Sequence, residues 1–129
     1  MKIHLMPNDL KLFAAAISWT LWSPLYRSSP PMFRTSTKKR LQEMFDVICQ
    51  ELHSSDPVWS ATLDEDALVI RGQVVATGSS EIQALRVCLE ACNTEIGHSP
   101  TEVLAVTGLP VELLRSLLDR TSHLAHCAS

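Results

Sequence analysis

Cys88 and Cys92 stand one helical turn apart, and His123, His126 and Cys127 follow near the C-terminus. Two side chains spaced i, i+4 on a helix share a face, and thiolate and imidazole are the ligands that zinc takes in tetrahedral geometry. The spacing permits a metal site or a thiol enzyme. Against it, no CxxC knuckle is present, Cys92 also fits the apolar stripe of its helix, and free cysteine packs as a small hydrophobe. Cys49 with His53, and His123 with Cys127, have the spacing for a nucleophile and base on one helix, but no third group is evident to orient the base. Asp64-Glu65-Asp66 gathers three carboxylates, fewer than the surrounding oxygens a hard cation needs. Thr77-Gly78-Ser79 has the polarity of a phosphate-binding turn without the glycine spacing or lysine of a P-loop. These residues assign no catalytic, cofactor-binding or metal-binding side chain, and no cofactor is expected. A small metal- or thiol-dependent enzyme using Cys88, Cys92 and the C-terminal His/Cys cluster stands as the alternative to a noncatalytic reading.

The elements that would position these groups follow from hydrophobic period and capping. Residues 37–53 predict a helix with Leu41, Met44, Phe45, Ile48 and Leu52 on one face and Ser36 or Thr37 as N-cap. Two β-rich runs, Val58–Leu63 and Ala67–Ala76, predict a hairpin that turns at Asp64-Glu65-Asp66, with Gly72 marking a bulge or close backbone approach. Ser80 and Gln83 have the spacing of a capping box for the next helix, whose stripe is Ile82, Leu85, Leu89, Cys92 and Ile96 and whose end is Gly97. Thr101–Val106 reads as a third strand. Pro110 then suits the first turn of a last helix carrying Leu113, Leu114, Leu117, Leu118 and Leu124. The expected fold class is α+β, a small three-stranded sheet packed by helices in α-β-β-α-β-α order, with an N-terminal helical or linker arm.

Charge divides the chain. Residues 1–40 carry seven cations against Asp9 alone, a net +6, while the remainder carries four cations against thirteen carboxylates, a net −9. Such asymmetry separates an arm from a folded body. Residues 1–35 are therefore expected to form a basic arm, with a helix over 9–22 (Leu10, Phe13, Ile17, Leu21), capped by Asn8 or Asp9 and packed on the domain, and a linker over 23–35 holding Pro24, Pro30 and Pro31. Residues 36–129 are expected to form a compact domain. Nucleic acid does not suit the acidic body, because duplex binding uses Lys and Arg to displace counterions. An anionic partner, nucleic acid or membrane, is reserved for the arm as a second alternative. Membrane contact is confined to residues 10–26, whose uninterrupted apolar part falls short of the roughly 20 residues of a spanning helix. Cysteines on apolar faces fit a reducing compartment, the cytoplasm, with the mitochondrion as alternative if residues 1–34 are a targeting segment.

Four stretches recur in a known arrangement: Asp56-Pro57-Val58, Ala67-Leu68-Val69-Ile70-Arg71-Gly72-Gln73-Val74, the helix around Ala84-Leu85, and Thr101-Glu102-Val103. On these, Leu52 to Pro110 resembles BON domains and the related ring-building modules of secretion systems, in which a helix leads into a hairpin, a second helix and a final strand. Asp64-Glu65-Asp66 replaces the usual glycine-containing turn, and the leucine-rich last helix is additional. The resemblance implies assembly or membrane-associated binding instead of catalysis. The expected function is a noncatalytic protein–protein interaction or assembly module, a subunit or adaptor of a larger complex, whose partner is another protein or a second copy.

Overall fold

The computed structural model describes residues 2–22, 34–53 and 60–127, with side chains through Ser122. The elements in order are β1 (Ile3–His4), α1 (Pro7–Trp22), α2 (Thr35–Leu52), β2 (Ala61–Leu63), β3 (Ala67–Ile70), β4 (Gln73–Thr77), α3 (Ser79–Ile96), α4 (Pro100–Thr107) and α5 (Val111–Cys127). The strands form one antiparallel sheet in the order β1-β2-β3-β4. The α+β class holds. The sheet has four strands where three were expected, and two of the four lie outside the expected set.

The first addition is β1, too short to show a period. Ile3 pairs with Leu63 and His4 with Thr62, and the Leu5 amide donates to the Ala61 carbonyl at 2.9 Å. The second comes from Ala67–Ala76, expected as one strand. It is instead a hairpin, with Ile70 opposite Gln73 and a two-residue turn at Arg71 (φ 51°) and Gly72 (φ 81°). Left-handed backbone at both turn residues matches the strand twist, which is why such turns usually use Asn-Gly. Here Arg71 takes the strained place, its amide donating to the Ser60 carbonyl (2.7 Å) and its guanidinium 3.3 Å from Glu51 on α2. Gly72 is thus a corner; the register shift lies at Leu68/Val69. Of the expected strand Val58–Leu63, Ala61–Leu63 is strand, and residues 54–59 lie outside the described residues.

Thr101–Val106 is helical, not a third strand. Ser99 Oγ accepts from the Glu102 amide, Pro100 sits in the first turn, and Gly108 (φ 74°) closes the helix in the left-handed region. A short apolar run has no period that separates strand from buried helix; its caps decide. Two other expected caps also shift. The N-cap of α2 is Arg34, so Ser36 and Thr37 lie inside its first turn. The N-cap of α3 is Gly78, and Glu81, not Ser80 or Gln83, reaches back to the Thr77 amide at 2.9 Å. Gly97 does end α3, with ordinary right-handed φ; a Cβ there would overlap the carbonyl and side-chain oxygens of Asn93.

The helix expected over 9–22 is present as α1 and packs on the domain, but as part of its core and not as an arm ahead of Ser36. Leu10, Leu12, Phe13, Ala16 and Ile17 of α1 are at most 1% exposed and belong to the same core as Leu41, Met44 and Ile48 of α2, Leu85, Cys88 and Leu89 of α3, and Leu114 and Leu117 of α5. Helix α1 packs on all four other helices. A body beginning at Ser36 would lack the helix on which its core is built. The high apolarity of residues 10–22 follows, since a helix enclosed by others is apolar around most of its circumference. Ile3, Ala61, Leu63, Leu68, Ile70 and Ala76 turn the inner face of the sheet to this core, with α2 and α3 against β4. The residues of the expected linker before Arg34 lie outside the described residues.

Candidate functional site

The first turns of α2 and α3 run side by side along β4, and a cleft of about 180 Å³ lies between them, lined by Ser36, Thr37, Arg40, Met44, Ser80, Glu81 and Ala84. Arg40 dominates it. Its Nε donates to Glu81 Oε2 and its Nη2 to Glu81 Oε1, both at 3.0 Å, while Nη2 also reaches the Val75 carbonyl (3.2 Å) and Nη1 reaches Glu43 Oε2 (2.5 Å). A planar guanidinium gripping a carboxylate through two parallel bonds is the strongest geometry this pair has. The bonds to Glu81 and then to Glu43 raise the Arg40 pKa above its already high ordinary value. Glu81 in turn is held below the usual carboxylate range, first by Arg40 and further by the Thr77 amide, against a desolvation that opposes the shift. The guanidinium is thus spent on protein acceptors. Ligand pockets usually enclose about 300–1,000 Å³; this cleft is smaller, and its charge is already paired.

Among the described residues the sulfur and imidazole groups assemble no site. Cys88 and Cys92 are on α3 as expected, but at 0% and 1% exposure both point into the core, and burial pushes the Cys92 thiol up to about 11. Enclosed in this way, neither thiol is open to a substrate. The side chains of His123, His126 and Cys127 lie outside the described residues. The His53 ring meets the Cys49 backbone carbonyl at 2.7 Å and so is occupied away from the thiol, which burial, followed by the charge of Asp46, raises. At the hairpin tip, Asp64 accepts from the Asp66 and Ala67 amides, both at 2.8 Å, and these bonds lower its pKa. That is turn chemistry. Among the described residues no group of three or more His, Cys, Asp or Glu could hold a metal ion.

Arginine carries most of the polar ties between elements. Arg120 on α5 grips Asp9 on α1 at 2.6 and 3.3 Å, with Asp9 also accepting from the Met6 amide at 2.9 Å. Asp9 is only 5% exposed and is a buried anchor between the first and last helices. Arg86 on α3 reaches the Thr121 carbonyl (3.2 Å) and pairs with Glu90, and Arg115 on α5 reaches the Gly97 carbonyl (3.2 Å). Every cation of the acidic body is used this way, whereas Lys11, Arg34, Lys38 and Lys39 are exposed. Among the described residues no helix is long and apolar enough to cross a membrane.

No family model, curated protein or solved structure matches this chain. The surface itself is what remains to be read. Its most unusual element is α4, Pro100–Thr107, in which only Val103 is buried while Leu104 is 54% exposed and Ala105 is open beside it. Thr101, Leu104 and Ala105, three and four residues apart, share the outward side of this helix. Sequence reasoning missed them because a strand was expected here; the signal available was the Ser99-Pro100 start with Gly108 eight residues on.

Proposed function

We propose that this chain is a noncatalytic protein–protein interaction or assembly module, a subunit or adaptor of a larger complex, and that it docks through α4. The observation that carries the reading is the uncharged strip Thr101, Leu104, Ala105 on a helix that buries one residue inward. Half-buried Val106 and Leu109 extend the apolar surface into the following turn. A helix presenting apolar anchors outward gains by being covered, since roughly 25 cal/mol is recovered per Å² of apolar area removed from water. The sealed thiols and the saturated cleft weigh against the enzyme alternative. Cys88 and Cys92, buried and in no disulfide, accord with a cytoplasmic setting. The BON-type resemblance expects a strand at Thr101-Glu102-Val103, which is helix here.

A photo-crosslinking residue placed at Leu104 of the full chain, with the same residue at exposed Lys11 as control, tests this in cells. The expected result is one discrete adduct from position 104, either a homodimer or a complex with a single other protein, and none from position 11. Equal labelling from both positions, with light scattering that gives a strict monomer, overturns it.

The anionic-partner reading keeps one specific support: Arg34, Lys38 and Lys39 are exposed at the start of α2, whose N-cap makes no side-chain bond. Deleting the arm is no test, because α1 belongs to the core. Lys38→Gln with Lys39→Gln, followed by binding to anionic vesicles and to duplex DNA across a salt series, separates this reading from the first.

A further inference from the structure

Strand β4 is the last in the sheet order, and a bulge at Val75, between the pairs Val69–Val74 and Leu68–Ala76, is the protection that its own residues give the open side. Gln73-Val74-Val75-Ala76-Thr77 has no charge and no proline, and three of its five residues are β-branched. Native edges of this kind are normally blunted by a lysine, a proline or a cover, because unpaired N–H and C=O groups invite another strand. Here the charges come from neighbouring helices. Arg40 Nη2 from α2 donates to the Val75 carbonyl, and Glu81 Oε1 from α3 accepts from the Thr77 amide. Beyond the bulge Ala76 pairs with Leu68 and the Gly78 amide donates to Asp66, so Val75 and Thr77 turn to the open side, as their bonds to Arg40 and Glu81 show, and are the positions at which an added strand would bond. The two side chains are also joined to each other by two 3.0 Å bonds, which makes them one closed unit.

We infer that the Arg40–Glu81 pair is a lock on the β4 edge, and that opening it lets β4 of a second copy pair antiparallel with it, joining two sheets across a twofold axis. A second copy fits because a strand paired antiparallel with itself presents the same groups on both sides. Its lack of charge places no like charges opposite one another. This inference is independent of α4, being read at Thr77 and not at Leu104.

The test uses the full chain with Arg40→Met and Glu81→Leu together, which removes both charges and leaves neither partner stranded. At equal concentration light scattering should give twice the wild-type mass. Adding Thr77→Pro, which deletes the edge N–H at a position where proline is tolerated, should return the mass to the wild-type value. A folded double variant with unchanged mass overturns the lock, and so does a doubled mass that survives Thr77→Pro. Should circular dichroism show the first double variant unfolded, Arg40→Ala with Glu81→Ala is read by the same two outcomes.

Discussion

Helix α1 carries Leu10, Leu12, Phe13, Ala14, Ala16 and Ile17 almost without interruption, and α4 carries Val103, Leu104, Ala105 and Val106; the first buries its set and the second buries only Val103. Apolar content does not distinguish them. Position does: α1 runs between the other four helices, so each turn of it meets a neighbour, whereas α4 is an eight-residue bridge at the margin between α3 and α5. The difference teaches that an apolar segment here is a core element when other elements surround it and a docking candidate when they do not. Asp9 shows the same rule for charge, because enclosure turns it into an anchor for Arg120, while Glu102 on α4 stays exposed.

The contrast breaks most readily in α1. Phe13→Ala empties space for a fully buried ring and is expected to cost about 3–5 kcal/mol, measured by urea unfolding of the full chain. A loss below 1 kcal/mol would mean that α1 is not part of the core. Next comes Asp9→Asn, which keeps the shape but leaves Arg120 facing a neutral amide. Because Arg120 is partly solvated, about 2–3 kcal/mol is expected, less than for a fully buried pair. A variant as stable as the wild type would show that the pair does not anchor the first helix to the last. Within α4 the comparison sharpens: Val103→Ala should cost about 1.5 kcal/mol at roughly 0.8 per buried carbon, and Leu104→Gln should stay within about 0.5 kcal/mol. Equal losses at 103 and 104 would place Leu104 inside the fold and remove α4 as a docking helix.

Helices α2, α3 and α5 were legible because each is long enough to repeat its period. The α3 stripe Ile82, Leu85, Leu89, Cys92, Ile96 is buried throughout, and Leu41, Met44 and Ile48 are buried on α2. The turn at Asp64–Asp66 was legible from its carboxylates, and α1 from Leu10, Phe13 and Ile17. The β3–β4 hairpin was not, because Arg71-Gly72 lacks the asparagine or aspartate that usually announces a left-handed pair; the bonds of Arg71 to Ser60 and Glu51 support it there. Strand β1 was out of reach for a different reason, as two residues carry no alternation and acquire meaning only beside β2. Of the candidate chemistry, the helical spacing of Cys88 and Cys92 was read correctly and their inward direction undid its use.

By itself the sequence determined the α+β class, the long helices, the tip of the β2–β3 hairpin and the division of charge, all of which rest on local period, capping and composition. Tertiary structure alone decided that α1 is core, that residues 67–77 fold back on themselves, that 100–107 is a helix open to solvent, and that Arg40 and Glu81 meet over the edge of β4. Those outcomes depend on which distant groups enclose or satisfy a segment. A local pattern states what a segment can bury or bond, and only its neighbours settle whether it does.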